Sequence, residues 1–352
     1  FLSGGVDSAL VAKYASENAD YKMKAFTVGF EDYSNRDELS LASSTADLLG
    51  MDHVKVMMSE EGFFNSIESL CAIVEEPLAT TSIIPFHFLC QGAAESLKVV
   101  LTGQGADEPL GGYGRYQGAL LFDYIPAWIA NLLPINAFES LAGHSLARGI
   151  HALRAKGTIE RLVSAYEVFS SDEIFRLTGI ADHQSQADIQ YFYNLLECNN
   201  RKSTAQVMMD LDSRLNLSDD LLLYTDKVSM RHSLECRVPI LDHQLMRYIE
   251  ALPLNYKMRF GKGKVIHKAF AKSVLPSSIV NRKKLGFQSP TDQWFKNSDF
   301  LKQRLLDTNS KLAGVVDIEE VAKVMTQHDR GRNKERHLFL LLSLYHWLEK
   351  FS

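Results

Sequence analysis

Six residues near the start of the chain, Ser3-Gly4-Gly5-Val6-Asp7-Ser8, hold the ingredients of an anion cradle. Two adjacent glycines let backbone N–H groups close around a phosphate. The N-terminus of a following helix would add partial positive charge, and Ser3 and Ser8 can add hydroxyl donors. No lysine stands at the Walker position, so this is not the loop that serves γ-phosphoryl transfer. The same residues also suit a strand–turn–helix corner in which Asp7 caps the helix. A second glycine-rich stretch, Thr102-Gly103-Gln104-Gly105-Ala106-Asp107-Glu108 and on to Gly114, gathers two carboxylates. Further on, Asp226, Glu235, Arg237 and Asp242 are threaded through apolar Met230, Leu234, Val238, Ile240 and Leu241. That pattern suggests a polar network under a site, acting as support rather than in direct catalysis.

Elements must hold these loops in place. Residues 7–18 carry apolar side chains at Leu10, Val11, Tyr14 and Ala15, one face of a helix. Residues 23–30 read as a strand, 37–49 as a helix with Gly50 just beyond its end, and 53–57 as a strand. Ser59 is placed to N-cap a helix reaching Glu75, and Pro85 stands near the start of another running to about residue 95. Val99-Val100-Leu101 is a short buried strand that ends in the loop 102–114. Strand and helix alternating with short connections imply a parallel sheet with right-handed crossovers. Ligands of such sheets bind outside the carboxyl ends of the strands, where both glycine-rich loops fall. Phe1-Leu2 reads as the tail of a strand already under way, which suggests a missing upstream part. After residue 116 the reading is mainly helical (159–169, 188–198, 204–212, 241–251, 265–274 and 337–350). No repeat or low-complexity linker interrupts it, so the helical part should pack on the α/β part.

Composition narrows the class. The 352 residues hold 38 Lys plus Arg and 43 Asp plus Glu, a net charge of −5 that argues against bulk coating of nucleic acid. Hydrophobic residues at 46% and charged residues at 23% argue against disorder. The greasiest stretch, 119–138, contains Asp123, Pro126, Asn131, Pro134 and Asn136, so it reads as core rather than a membrane span. Cys71, Cys90, Cys198 and Cys236 lie far apart with no CxxC pair, which fits small buried core residues in a reducing cytosol. The charge is uneven. Between residues 251 and 291 there are nine Lys or Arg and no acidic residue.

The Ser-Gly-Gly-Val-Asp-Ser hexad resembles the pyrophosphate-binding loop of the N-type ATP pyrophosphatases. Four later segments resemble, in order, the signatures of one branch of them. These are residues 101–108 followed by Gly111-Gly112-Tyr113, Asp226-Lys227-Val228-Ser229-Met230 with residues 233–243, residues 264–276, and Arg282-Lys283-Lys284-Leu285-Gly286-Phe287. On these the chain is identified as a member of the glutamine-hydrolysing asparagine synthetase family, at its ATP-pyrophosphatase or synthetase domain. The resemblance implies an α/β fold with an adenine nucleotide α-hydrolase-like parallel sheet and a mostly helical extension. It makes residues 1–352 one synthetase domain, with an α/β core over 1–115, a helical remainder over 116–352, and no glutaminase domain in this chain.

The resemblance also implies roles. Leu2 and Val28 would frame the adenine, Thr102 and Gly103 would meet the nucleotide through their backbone, and Ser3, Gly4, Gly5 and Ser8 would cradle pyrophosphate. Asp7 and Asp107 match carboxylates that hold Mg²⁺ against the phosphates of ATP. Lys264 matches a lysine that meets the departing pyrophosphate, and Asp226 is carried as a further catalytic candidate. Thr80, Thr81 and Glu108 fall where the amino-acid substrate is held. The implied reaction is attack of the aspartate side-chain carboxylate on ATP to give β-aspartyl-AMP and pyrophosphate, then displacement of AMP by ammonia to give asparagine. That is a C–N bond-forming ligase of the cytoplasm, with ammonia taken from glutamine through a glutaminase domain in the parent protein. A homodimer is allowed; no nucleic acid or membrane is expected.

Two positions depart from the family pattern. Gln104 stands where relatives have Glu or Asp, and a neutral amide can hydrogen-bond but cannot act as a base. Thr80 and Thr81 replace more polar or charged residues, which leaves open another acceptor such as a sugar acid or a lactam precursor. A tRNA-modifying relative would need a basic groove and catalytic cysteines, and a non-catalytic nucleotide-binding relative would have lost its base at Gln104.

Overall fold

The structure, a computed structural model, describes residues 1–31, 37–78, 80–123, 155, 157–182, 184–201, 203–282 and 289–352. The motif residues 283–287, Ala79 and most of the apolar stretch 119–138 lie outside the described residues. The chain divides into two compact units. The first comprises Phe1–Ala106, Asp220–Arg247 and His267–Ser352, and the second Asp107–Asp219 and Tyr248–Ile266.

In the first unit, strand β1 (Lys24–Phe30) pairs in parallel with β2 (Asp52–Met58), in register from Lys24 opposite Asp52 to Phe30 opposite Met58. β1 is buried over five consecutive residues, whereas β2 is mostly exposed or half-buried, as an edge strand must be. A second parallel pair joins β3 (Val99–Leu101) to β4 (Glu235–Arg237). The strands therefore form two parallel pairs rather than the single sheet expected. The first residues run between them: Leu2 N–H donates to Phe26 O at 2.9 Å, and Phe1 N to Leu101 O at 2.6 Å. The chain thus passes from the middle outward to β1 and β2, then returns to β3 on the other side. Where the order reverses, the loops leaving residue 3 and residue 101 lie side by side, at the carboxyl ends where ligands of such sheets bind.

Four helices make the crossovers: α1 (Val6–Glu17), α2 (Asp37–Leu48), α3 (Glu60–Val74) and α4 (Ile83–Ala94). Gly50 takes φ +64°, the left-handed position expected just past α2. Ser59 caps α3, its Oγ accepting from Gly62 N–H at 3.0 Å. α3 buries Phe63, Phe64, Ile67, Leu70, Cys71 and Val74, a stripe with helical spacing. Phe63 is fully buried, with ring centroids 5.3 Å from Trp294 and 6.3 Å from Phe339. Burial of each such ring contributes roughly 1.5–3 kcal/mol, so this aromatic cluster carries much of the unit's core.

The second unit is helical, with Gly114–Phe122, Thr158–Tyr166, Ser171–Thr178, Gln184–Leu195 and Thr204–Arg214 the longer helices among its described residues. Its core gathers Tyr116, Leu162, Cys198, Met208, Leu211 and Met258. Among the described residues no helix is long and apolar enough to cross a membrane. All four cysteines are free. Cys71, Cys90 and Cys198 are buried as expected, but Cys236, on the short β4, is only half-buried. Burial still pushes the Cys71 and Cys236 thiols up to about 11, so neither is a ready nucleophile.

Candidate active site

In the first unit, Ser3, Gly4 and Gly5 turn into α1, which begins at Val6 with Gly5 as its N-cap. The loop is tied internally. Ser8 Oγ lies 3.1 Å from Ser3 N–H and 2.9 Å from Ser3 Oγ, and Gly5 N–H donates to Ser3 Oγ at 3.2 Å. The two hydroxyls thus hold the loop closed around the amides of the first helical turn. That is the fixed donor arrangement an anion requires. Asp7 is buried in that turn, and its Oδ1 is 3.0 Å from Nε2 of His267. His267, on the helix Val265–Val274, was not singled out by sequence; its place three residues after Lys264 was the available signal.

The loop after β3 lies against this one. Thr102 is buried, and its N–H donates to Arg237 O at 2.9 Å. A Cβ on Gly103 would stand 2.5 Å from Ser8 N and 2.8 Å from Asp7 C, so only glycine allows the two backbones to approach this closely. Gln104 follows, with Oε1 3.3 Å from the Thr225 hydroxyl. That hydroxyl is also 2.6 Å from Leu221 O. It has one proton to give, and the shorter contact takes it. The Gln104 amide is therefore held only weakly.

Leu2 and Val28 are both buried, at 4% and 6% exposure, although Val28 sits inside β1 rather than at its end. Thr80 Oγ1 contacts Ser82 Oγ at 2.9 Å, and Ser82 Oγ in turn lies 3.3 Å from the Tyr224 hydroxyl. Thr81 is half-buried, and its carbonyl accepts from Ile84 N–H at 3.2 Å as α4 begins. Asp226 is on the exposed side of the helix Leu223–Arg231.

The second unit carries its own polar centre. Lys264 Nζ pairs with Asp107 Oδ1 at 2.8 Å, with both side chains nearly buried. Lys264 takes φ +54°, and its N–H donates to Leu110 O at 3.1 Å, which locks the lysine's backbone to the glycine-rich loop. A Cβ on Gly112 would fall 2.0 Å from Asp107 Oδ1, and one on Gly263 would fall 2.4 Å from Gly111 O. The loop is thus wrapped tightly around the ion pair. Glu108, fully buried, accepts from Tyr113 Oη at 2.6 Å, while its Oε2 has no hydrogen-bond partner. Burial holds its carboxyl above the usual range, against the lowering effect of the Tyr113 bond. The Arg115 guanidinium stacks 4.3 Å over the Tyr113 ring and pairs with the buried Asp212 at 2.8 Å.

One expectation needs correction. The charged residues around β4 do not form a network under the site. Arg237 and Glu235 pair with each other at 2.7 Å on the surface, with side chains 61% and 55% exposed. Asp242 accepts from the N–H groups of Gln244 and Leu245, capping the helix His243–Ala251. Residues alternating along so short a strand put both charges on the solvent face. Within the basic segment 251–291, Lys257 and Lys264 are buried.

Among the described residues no group of three or more His, Cys, Asp or Glu is placed to hold a metal. Mg²⁺ against a nucleotide uses one or two carboxylates with phosphate and water. Asp7 in the first unit and, separately, Asp107 in the second are buried carboxylates of the hard-oxygen type that this ion takes, each already facing a basic side chain.

Comparison with known proteins places the chain. The family profile described as Asparagine synthase matches residues 1–349. The glutamine-hydrolyzing asparagine synthetase 1 of Bacillus subtilis is 30% identical over 357 residues, covering 99% of this chain and 55% of that protein. A Mycobacterium bovis protein provisionally named as a glutamine-hydrolyzing asparagine synthetase is 28% identical over 358 residues, with 99% of this chain and 53% of the relative covered. Amidase chry2 of Gibberella zeae is 26% identical over 336 residues, covering 84% of this chain and 49% of its own. The chain therefore spans about half the length of the curated relatives it matches.

Proposed function

The chain belongs to the asparagine synthase family, and we propose that it carries the ATP-dependent half of an amide-forming ligase built on an N-type ATP pyrophosphatase fold. A substrate carboxylate attacks the α-phosphorus of ATP, pyrophosphate leaves, and ammonia displaces AMP from the acyl-adenylate to form the amide. With aspartate as substrate the intermediate is β-aspartyl-AMP and the product asparagine. In the parent protein a glutaminase domain would supply the ammonia, in the cytoplasm.

The observation that carries this reading is the closed Ser3–Ser8 loop with the Gly103 backbone pressed against it, a cradle of fixed amides at the start of α1. Such donors act without reorganising as charge builds on a leaving group. Leu2 and Val28 provide the apolar surface an adenine needs, and Thr102 and Gly103 offer backbone groups beside it. Lys264 contributes positive charge to the departing pyrophosphate, and Asp107 holds that ammonium in one orientation. Asp7 and Asp107 would hold Mg²⁺, which supplies charge neutralisation at the phosphates. Thr80, Thr81 and Glu108 are assigned to the acceptor, and Asp226, exposed on the helix Leu223–Arg231, stays a catalytic candidate.

A second reading is favoured by two observations: an amidase-named relative and the neutral Gln104. It keeps adenylation and changes the acceptor to another small carboxylate. Pyrophosphate release with Mg-ATP and ammonium, measured across aspartate and other carboxylates, separates the two. Stimulation by aspartate supports the first, stimulation only by a different acid supports the second, and no stimulation by any acid overturns both. Gln104→Glu should raise amide yield from ammonium if the base is missing; an unchanged yield assigns proton removal to another group.

A further inference from the structure

The helical unit contains a cavity that the reaction above does not use. One face of the helix Thr204–Arg214 lies across from the 250–257 segment, and between them is a cavity of about 620 Å³. Its size is that of a pocket for a small organic ligand. Lys257 lines it and is 1% exposed. Its Nζ donates to Glu250 O at 3.0 Å, and no carboxylate among the described residues lies within ion-pairing distance. The nearby carboxylate, Asp210, is already engaged by Arg201 Nε at 2.5 Å and by Gln206 Nε2 at 2.8 Å. The simpler role for Lys257, capping the end of the helix His243–Ala251 through that carbonyl, uses one of its three N–H donors. Asp210 and Glu250 line the same cavity and favour the charged lysine from a distance, but a buried ammonium that no carboxylate pairs directly is still costly. Burial accordingly lowers its pKa.

We propose that this cavity binds a small organic carboxylate, its anionic end on Lys257 and its apolar part against Met209 and Leu254. Arg201 assists indirectly, because by occupying Asp210 it keeps that carboxylate from neutralising Lys257. Nothing here depends on the reaction proposed for the chain, and none of these residues belongs to it.

The test uses the full chain with saturating ATP and Mg²⁺, so that the nucleotide site is filled. Methionine-methyl NMR follows Met209 during titration with butyrate, hexanoate, hexanol and inorganic phosphate. Hexanoate should give a saturable Met209 shift at lower concentration than butyrate, and hexanol and phosphate should bind at least ~10-fold more weakly. Lys257→Met should weaken hexanoate by at least ~10-fold without lowering the melting temperature, since it removes an uncompensated buried charge. Arg201→Gln, at a half-exposed position, should also weaken hexanoate by freeing Asp210, and it serves if Lys257→Met does not fold. No saturable shift, phosphate binding equal to hexanoate, or hexanoate affinity unchanged in both variants would overturn the proposal.

Discussion

Gly112→Ala separates a catalytic role of the Asp107–Lys264 pair from a structural one. Gly112 does not take a left-handed φ, so the added methyl acts by steric contact alone. Its Cβ would stand 2.0 Å from Asp107 Oδ1 and 2.3 Å from Lys264 Cε. Carbon contacts relax to about 3.5 Å, so the two groups must withdraw by roughly 1.2–1.5 Å. Both are ends of side chains and can swing without moving backbone, which limits the stability cost to about 1–2 kcal/mol. That lowers the melting temperature by only ~2–8 °C in a unit of this size. A transition-state charge displaced by about 1 Å costs on the order of 10²-fold in rate, or roughly 2.7 kcal/mol. The variant should therefore stay folded at 25 °C and lose about a hundredfold in pyrophosphate release at saturating ATP. Release within ~3-fold of the parent, in protein shown by circular dichroism to be folded, would refute an electrostatic role for the pair.

Gly103→Ala should behave oppositely. Its Cβ meets backbone atoms of Asp7 and Ser8 that cannot swing aside, so stability should fall by about 1–3 kcal/mol together with ATP affinity; urea unfolding and nucleotide titration check both. Glu108 gives a pH test. A carboxyl whose folded pKa is raised contributes stability that is full below its unfolded pKa and lost as pH rises through the folded one. Glu108→Gln stays neutral, so its urea midpoint relative to the parent should be higher at pH 8 than at pH 4; a pH-independent difference contradicts the burial effect. Arg237→Ala removes a pair that is exposed to water, and calorimetry should find an unchanged melting temperature.

What could be read from the sequence follows the range over which each property is set. β1, β3 and α1 to α4 are placed within two residues by periodicity, Gly50 and Ser59, because alternation and capping are decided by near neighbours. The Ser3–Ser8 loop is legible for the same reason: its hydroxyl bonds close within five residues. β4 was not legible. Three residues with charges at both ends carry no strand signal of their own, and only β3 makes Glu235–Arg237 extended. For the charges around β4, spacing told which residue types alternate but not which face meets solvent, so a surface ion pair read as a buried network. His267 and Lys264 show the same boundary from the other side. One turns to Asp7 and the other to Asp107, each in its own unit, and both partners are set by how the chain closes over long range. The left-handed Lys264 is a trace of that closure: no neighbour in sequence dictates its φ of +54°, and the bond from its N–H to Leu110 O, a residue far away in sequence, holds the strained backbone in place.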